Sequence, residues 1–395
     1  MENRPVAARI RHAQGSLSQL LAYMNEPDFI HRAEDPENCD FIFGNPHEMP
    51  PAGYVDSLQK WLVPQDKDWF AYKMNEPEAR QAVVNALLAW RGVQVDPQDV
   101  FLTTGAFGAL AVSINILVNP GDEVIYISPP WFFYEPMIHA AGGTPVRVRT
   151  DLTSMLPRLE AIEAAITERT RAIIINSPNN PTGKIYPPAL LSGLADLLAR
   201  KSRQNGRTIY LISDESYSKI LFSGSKFTSP TGYYPHSLLV YTYGKTLLTP
   251  GQRVGYLVLN PELDGKDEIR DAVLTAQMLA GYAIPNALLQ HAMGDLDRYS
   301  IDLVHLEQKR DRMVSALLGM GYQVHMPEAT FYLLPKSPDP DDLAYVNRLK
   351  QHKVFCLPGS VAEIPGYFRI SITASDSMIE RSLAGFEAVI KTVMA

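Results

Sequence analysis

The chain has 395 residues, 46% hydrophobic and 20% charged, which is ordinary for a globular enzyme and long enough for one large and one smaller domain. Its 36 basic and 43 acidic residues give a net charge of −7, and this mild acidity without basic runs argues against nucleic acid as a partner. Two cysteines, Cys39 and Cys356, are too few for a disulfide framework or a cysteine-rich metal site, so no bound metal is expected, and isolated thiols suit a reducing compartment.

The N-terminal region, residues 1–45, is predicted to be an arm that packs with a smaller C-terminal domain. Its first residues contain no apolar signal segment, and no stretch of the chain approaches the ~18 apolar residues of a membrane span. We therefore expect a cytoplasmic protein without a membrane partner.

Two helices are predicted after this arm. Asn75 is a plausible N-cap, with Pro77 and Glu78 in the first turn, because apolar residues recur behind it at helical spacing. A second helix is predicted from about residue 106 to residue 117, where an Asn-Pro-Gly turn ends it.

Short apolar β-type runs alternate with helical patterns in the middle of the chain, within a predicted large domain of residues 46–289. This alternation predicts an α/β fold, with a mostly parallel sheet covered by helices on both faces. Ligands of such sheets bind at the carboxyl ends of the strands. The predicted strands are Glu123–Ile127, Ala172–Ile175, Thr208–Ile212, Leu238–Tyr241 and Val254–Leu259, and the clearest helix between them is Ala189–Lys201.

The pattern changes in residues 290–395, which are predicted to form a smaller α+β domain. A single long helix, Gln290–Gly319, is expected to open it, and a helix over Asp376–Val393 is expected to close it. The β-type runs between these helices are Tyr322–His325, Phe331–Leu334, Val354–Leu357 and Tyr367–Ile372.

Lys245, Asp214 and Arg253 together have the chemistry that a pyridoxal 5'-phosphate (PLP) site needs. Lys245 supplies an amine that could form a Schiff base with the cofactor aldehyde. Asp214 could keep the ring nitrogen protonated, and Arg253 could hold the phosphate. Taken singly, the lysine could be a solvated surface residue, and the aspartate a strand-end carboxylate that caps a helix.

Four further residues extend this interpretation. Tyr217 and Asn180 could hydrogen-bond the ring oxygen, and Thr242 could donate to the phosphate. Gly105 precedes an apolar helix, whose first N–H groups could bind the phosphate as well. The alternatives are a half-buried tyrosine, a tight turn at the Asn-Pro-Thr-Gly sequence and a plain strand-to-helix turn.

Trp131 and Arg369 complete the candidate site. Trp131 lies in an aromatic cluster after a predicted strand, and it either packs in the core or stacks on the cofactor ring. Arg369 lies within an apolar β-type run, where an unpaired charge is unfavourable. It is therefore either part of a structural salt bridge or a bidentate clamp for a substrate carboxylate.

These residues belong to motifs that follow one another over nearly the whole chain: Gly44-Asn45-Pro46, Gly105-Ala106, Ser128-Pro-Pro-Trp131, Asn176-Ser-Pro-Asn-Asn-Pro-Thr-Gly183, Asp214-Glu-Ser-Tyr217, Lys245 with Arg253, and Phe368-Arg369-Ile-Ser371. With them the chain resembles the fold-type I PLP enzymes, and specifically the aspartate/aromatic branch of the class I/II aminotransferases.

The resemblance implies PLP as cofactor, a sheet of the seven-stranded type and a homodimer with active sites at its interface. It implies that Lys245 carries the Schiff base and then moves a proton, and that Arg369, Asn180 and the Gly44 backbone hold the substrate carboxylate. The residues that the resemblance places around the cofactor phosphate are Gly105, Ala106, Phe107, Thr242 and Arg253.

The chain departs from the family pattern in the wall of the site. Phe70 stands where the family often has a tyrosine that reaches the partner subunit's phosphate, and Tyr72 is a candidate substitute. Gly244 precedes the lysine in place of serine or alanine, and Phe107 occupies a position that is often polar. Ala329 begins an Ala-Thr-Phe-Tyr sequence where Gly-Ala-Phe-Tyr is common. No catalytic group is removed, but the substrate cannot be copied from the family.

The sequence therefore predicts a PLP-dependent aminotransferase that moves an amino group from an L-α-amino acid to a 2-oxo acid. Two alternatives remain open. The same cofactor residues would serve a C–S β-lyase or an amino-acid oxidase, because the outcome depends on which bond is aligned and on what is protonated next. A non-enzymatic regulatory role is disfavoured because Lys245 is present and no DNA-binding segment is appended.

Overall fold

The computed structural model describes residues 5–281 and 283–394. The N-terminal arm contains α1 (Ala8–Ser16), α2 (Ser18–Met24), α3 (Pro27–His31) and β1 (Cys39–Asp40). The first half of the large unit contains α4 (Ala52–Leu62), α5 (Pro77–Arg91), β2 (Val100–Thr103), α6 (Gly105–Leu117), β3 (Glu123–Ser128), α7 (Tyr134–Ala140), β4 (Thr144–Asp151) and β5 (Leu156–Pro157).

The chain continues through the second half of the large unit with α8 (Leu159–Ala165), β6 (Thr170–Asn176), α9 (Pro188–Asn205), β7 (Tyr210–Asp214), β8 (Ser237–Thr242), α10 (Tyr243–Thr246), β9 (Gly255–Leu259), α11 (Lys266–Ala280) and α12 (Ala287–Leu296). The C-terminal unit contains α13 (Leu303–Gly319), β10 (Tyr332–Leu333), α14 (Asp342–Gln351), β11 (Val354–Phe355), β12 (Leu357–Pro358), β13 (Phe368–Ser371) and α15 (Asp376–Met394).

The central sheet confirms the predicted α/β fold. Its strand order is β2-β9-β8-β7-β6-β3-β4-β5, and the five strands from β8 to β4 run parallel. β9 runs antiparallel to both of its neighbours, and β5 runs antiparallel to β4. The sheet has eight strands rather than seven, and its outermost strand, β5, is only two residues long.

Helices cover both faces of this sheet, which explains why its central strands are apolar throughout. Ile174 of β6 packs with the residues of α6 on one face, whereas Ile173 and Ile175 pack with α9 on the other. A third apolar cluster joins α5 and α12 to β2, β8 and β9. Successive side chains of a strand point to opposite faces, so a strand buried on both sides requires a continuous apolar run.

Two predictions about helices were wrong. Asn75 does not cap α5, because Glu76 occupies the N-cap position and the Asn75 side-chain oxygen instead accepts a hydrogen bond from the Leu102 N–H at 2.6 Å. The predicted single helix over 290–319 is two helices, α12 and α13. Asp302 begins the second one, since its carboxylate accepts from the His305 N–H at 3.0 Å.

The C-terminal unit contains a small antiparallel sheet of order β10-β13-β12, and the short strand β1 of the arm pairs in parallel with β11. The predicted strand over residues 322–325 is not formed. Tyr23 and Phe29 of the arm share a core with Phe368 and Phe386. The first helix of the arm does not follow the prediction that the arm packs with the smaller domain, because α1 packs on α7 of the large unit.

The expected domain boundary at residues 289/290 falls inside α12, which packs on α4 and α5. We therefore propose that the large domain extends through α12 and that the division lies in residues 297–302. No helix among the described residues combines the length and apolarity needed to cross a membrane.

Candidate active site

The parallel strands β6, β7 and β8 carry the central residues of the site to one edge of the sheet. Asp214 is the last residue of β7, and Lys245 lies in the short helix α10 directly after β8. They face a cavity of about 200 Å³. The predicted site residues that line this cavity are Ala106, Phe107, Trp131, Asn180, Asp214, Tyr217, Thr242, Lys245 and Arg253.

Asp214 is buried and held by three hydrogen bonds. The Tyr134 hydroxyl donates to Oδ2 at 2.7 Å, and the Ser216 hydroxyl and N–H donate to Oδ1 at 2.6 and 3.1 Å. Burial raises the pKa of this carboxyl above its usual value, while the hydrogen bonds and the charge of Lys245 oppose that shift. The carboxylate is therefore oriented, and it lies close to a cation.

Lys245 projects into the aromatic part of the cavity. Its Nζ lies 5.7 Å from the centroid of the Tyr217 ring and 5.8 Å from that of the Phe331 ring. No carboxylate of the described residues lies within ion-pair distance of this amine. An amine without an anionic partner at a cavity wall is available to an electrophile.

The opposite end of the cavity is a cradle around Gly105, which has φ +72°. A Cβ at this position would lie 3.1 Å from Arg253 Nη2 and 3.2 Å from Thr242 Oγ1, so a side chain would fill the cradle. Among the described residues, the Arg253 guanidinium donates only to main-chain oxygens, those of Pro250 at 2.7 Å and Thr104 at 3.2 Å. The first-turn N–H groups of α6 have no acceptor within their own helix. This set of donors is typical of a phosphate site.

Arg369 is a buried cation, 3% exposed, within β13, and it does not itself line the cavity. It donates to Asn180 Oδ1 at 3.0 Å and to the Ile42 carbonyl at 2.8 Å, and it lies 4.2 Å from the Tyr332 ring centroid. Its Nε has no hydrogen-bond partner, and no carboxylate pairs with it in the part of the chain described. The structural salt bridge considered from the sequence is therefore wrong, and the guanidinium suits an incoming carboxylate.

Residues 65–386 match the model of the family described as aminotransferase class I and II. The chain belongs to this family. It is a PLP-dependent aminotransferase, which moves an amino group from an L-α-amino acid to a 2-oxo acid.

Individual relatives agree with this assignment. The chain is 30% identical over 352 residues to an aspartate/prephenate aminotransferase of Thermus thermophilus, covering 85% of this chain and 87% of the relative. It is 26% identical over 399 residues to human kynurenine–oxoglutarate transaminase 3, with 89% and 85% coverage. Among solved structures, an aminotransferase of Eubacterium rectale superposes with a TM-score of 0.87 at 29% identity, covering 99% and 97% of the two chains.

The cavity of this aminotransferase fits PLP in three places. The Gly105 cradle supplies donors for a phosphate, Asp214 supplies an oriented carboxylate, and Lys245 supplies an unpaired amine. A planar cofactor ring also needs flat apolar surfaces, and Trp131 offers one at the cavity wall.

Gly44 does not line this cavity but packs against Phe331 and Tyr332. A Cβ at Gly44 would lie 2.7 Å from the Tyr332 hydroxyl, so the close approach requires glycine. Burial raises the pKa of Tyr332, but the charges of Lys245 and Arg369 and hydrogen bonds from Tyr217 and the Gly44 N–H outweigh it, and the net shift is downward. The Tyr332 side chain is therefore close enough to both cations for their charges to act on it.

Tyr72 is not brought to the cavity of its own chain. Its side chain is fully exposed, and Phe70 in the same segment is half-exposed. A role for either residue in the site of a partner subunit remains a prediction.

Four side chains of the site were missed from the sequence: Tyr134 and Ser216, which bind Asp214, Asn176, which donates to the Asp214 carbonyl at 2.9 Å, and Tyr332. Tyr134 ends the aromatic cluster Trp131-Phe-Phe-Tyr134, and Ser216 stands inside the Asp214-Glu-Ser-Tyr217 motif. Their position there was a usable signal, but only the fold brings α7 against the end of β7.

Proposed function

We propose that the cavity at the ends of β6, β7 and β8 is the transamination site and that Lys245 is its central catalytic residue. The observation that carries this proposal is the convergence of Lys245, Asp214 and Arg253 on one cavity, with the unpaired Arg369 beside it. When bound, PLP supplies an aldehyde that condenses with amines and a ring that withdraws electrons.

The residues divide this work by chemistry. Asp214 would hold the proton of the ring nitrogen, Asn180 and Tyr217 would bind the ring oxygen, and Trp131 would pack on the ring face. Arg369, with Asn180 and the Gly44 N–H, would bind the α-carboxylate of the amino acid. The groups that would hold the phosphate are Gly105, Ala106, Phe107, Thr242 and Arg253.

Lys245 would bind the cofactor aldehyde first and afterwards move the proton of the substrate Cα. An amine suits this second task because it can accept a proton and return it within the same site. The aromatic rings of Tyr217 and Phe331 form the apolar surroundings of its Nζ. The carboxylate clamp at Arg369 would fix which bond of the amino acid faces the lysine.

We further propose an aromatic or large apolar amino acid as donor. Phe107, Trp131 and Phe133 form one aromatic wall of the cavity, with ring centroids 4.9 to 5.1 Å apart. The cationic side chains in the cavity lining, Lys245 and Arg253, are already assigned to aldehyde and phosphate. The relative named for kynurenine, an aromatic amino acid, fits this preference, whereas the relative named for aspartate and prephenate does not.

An absorption experiment tests the proposed function. The purified protein loaded with PLP is mixed with single amino acids without any 2-oxo acid, and spectra are recorded with time. We expect the cofactor band to convert to a pyridoxamine-type band, fastest with aromatic donors, and to return when a 2-oxo acid is added. A band that stays unchanged while ammonia or pyruvate accumulates would favour the oxidase or the lyase instead.

We also propose a homodimer in the cytoplasm. Leu279 of α11 is 84% exposed, and it borders a groove of about 620 Å³ between α6 and α11 that is lined mostly by alanine and aliphatic side chains. One side of this groove is α6, the helix that also carries Phe107 of the active site. An exposed apolar patch at this place supports a subunit interface beside the active site. Two buried free thiols, Cys39 and Cys356, support a reducing compartment.

Leu279→Glu is expected to weaken this dimer, because a carboxylate would have to be desolvated in the interface. Sedimentation velocity at micromolar protein should show a slower species than for the natural protein. The control is Leu318→Glu on α13, a half-exposed leucine away from the groove. Identical sedimentation of the two variants would place the interface elsewhere.

A further inference from the structure

Tyr134 and Asp214 form a buried pair behind the cavity. Tyr134 is the first residue of α7, and its hydroxyl donates to Asp214 Oδ2 at 2.7 Å. The donors to the other oxygen, Oδ1, both come from Ser216. In the described part of the chain, Tyr134 is therefore the group that satisfies Oδ2 on the protein side.

The direction of this hydrogen bond is fixed by charge. Burial and the neighbouring carboxylate raise the pKa of Tyr134 well above its ordinary value, so the protonated hydroxyl is favoured beside an ionised Asp214. An ionised carboxylate can only accept. The phenol is thus the donor and the carboxylate the acceptor of this 2.7 Å hydrogen bond.

Burial also raises the pKa of the Asp214 carboxyl, which favours its uncharged form. This effect opposes the hydrogen bond from Tyr134, which favours the ionised carboxylate. The groups that face this carboxyl are Ser216 beside it, Tyr134 on α7, Lys245 on α10 and Tyr217 after β7. Lys245 helps to keep Asp214 charged only while the amine itself is protonated. Tyr134 helps at all times.

We propose that Tyr134 is a positioning residue that keeps the Asp214 carboxylate ionised and aimed at the ring nitrogen of the bound cofactor, an inference that rests on the proposed function. It acts through Asp214 and is not itself a catalytic residue.

The chain offers a matched control in Tyr186. This tyrosine is also fully buried near Tyr134, but its hydroxyl has no hydrogen-bond partner among residues 5–281 and 283–394. Tyr134→Phe and Tyr186→Phe therefore remove the same atom from the same kind of surroundings. Only the first substitution takes a donor from Asp214.

The first measurement uses the protein without cofactor. Because the folded-state pKa of Asp214 is raised, stability falls as pH rises from the unfolded value, about 3.9, towards the folded value. Tyr134→Phe extends that fall to higher pH. We expect its thermal midpoint to drop more at pH 8 than at pH 5, whereas any drop for Tyr186→Phe is the same at both.

The second measurement uses the PLP-loaded enzyme. We expect kcat/KM of Tyr134→Phe to fall roughly 10- to 100-fold, as for the loss of one hydrogen bond to a charged group. The acidic limb of its pH profile should move to higher pH, and that of Tyr186→Phe should not. Ser216→Ala should move the limb in the same direction as Tyr134→Phe.

The outcomes separate this inference from the proposed function. Equal pH dependence of the two phenylalanine variants, in stability and in activity, would show that Tyr134 only fills space. Absence of transamination in the natural protein would refute the proposed function, while the pH-dependent stability would still report on the Tyr134–Asp214 pair.

Discussion

Lys245→Ala is expected to abolish transamination while the chain stays folded. The substitution removes the amine that would bind the cofactor aldehyde and the base that would move the Cα proton, so turnover should fall by more than about 10³-fold. The fold should persist, because Lys245 lies in a four-residue helix and its Nζ has no carboxylate partner among the described residues. Product formation under single-turnover conditions is the measurement, with circular dichroism as the check on folding.

Lys336→Ala is the control for this prediction, since it removes a lysine that is exposed and lies outside the cavity. It should retain full activity. Turnover by Lys245→Ala within tenfold of the natural enzyme would refute the assignment of the active site.

The sequence predicted those parts of the site that follow from local order. Asp214 and Lys245 come directly after apolar runs, and parallel strands end at a common edge of the sheet. The register of β7 and β8 therefore brings both residues together without any knowledge of the loops. The phosphate end was predictable for a related reason, because Gly105 begins a helix right after β2.

Other features depend on contacts between distant segments, which periodicity does not encode. Tyr134 meets Asp214 across 80 positions of the chain, and Arg369 meets Asn180 across 189. The break between α12 and α13 was missed because residues 297–302, Asp-Arg-Tyr-Ser-Ile-Asp, contain no glycine or proline to mark it, while the Asp302 cap that begins α13 is a single polar residue. Asparagine is a common N-cap residue, but the Asn75 side-chain oxygen accepts its hydrogen bond from the Leu102 N–H of β2 and not from the first turn of α5.

Arg369 and Arg91 illustrate two roles of a buried arginine: the first is available to bind a ligand, and the second stabilises the fold. Both are buried, but Arg91 lies 2.5 Å from Glu215 in an ion pair, whereas Arg369 has no carboxylate in the described structure. Burying an unpaired cation costs several kcal/mol, which the protein carries until an anion binds. The site therefore binds carboxylates at the expense of the stability of the empty enzyme.

Arg369→Met should separate these two roles. Without the guanidinium, kcat/KM for amino acids should fall by roughly 30- to 5,000-fold, corresponding to about 2–5 kcal/mol for the loss of one partner of a buried charge pair. Most of the change should appear in KM. The free energy of unfolding without substrate should change little, because relief of the buried charge offsets the hydrogen bonds lost by Asn180 and Ile42.

Arg91→Met is the matched comparison, because it leaves Glu215 buried without its cation. It should lower the free energy of unfolding by about 3–5 kcal/mol and leave KM near its natural value. Denaturant titrations and steady-state kinetics on the two variants measure both quantities. If Arg369→Met were as destabilised as Arg91→Met and kept its KM, the arginine would be a structural element and the carboxylate would have to bind elsewhere. If Arg369→Met instead has the larger change in KM and Arg91→Met the larger loss of stability, the Arg369 guanidinium binds the substrate carboxylate and does not mainly stabilise the fold.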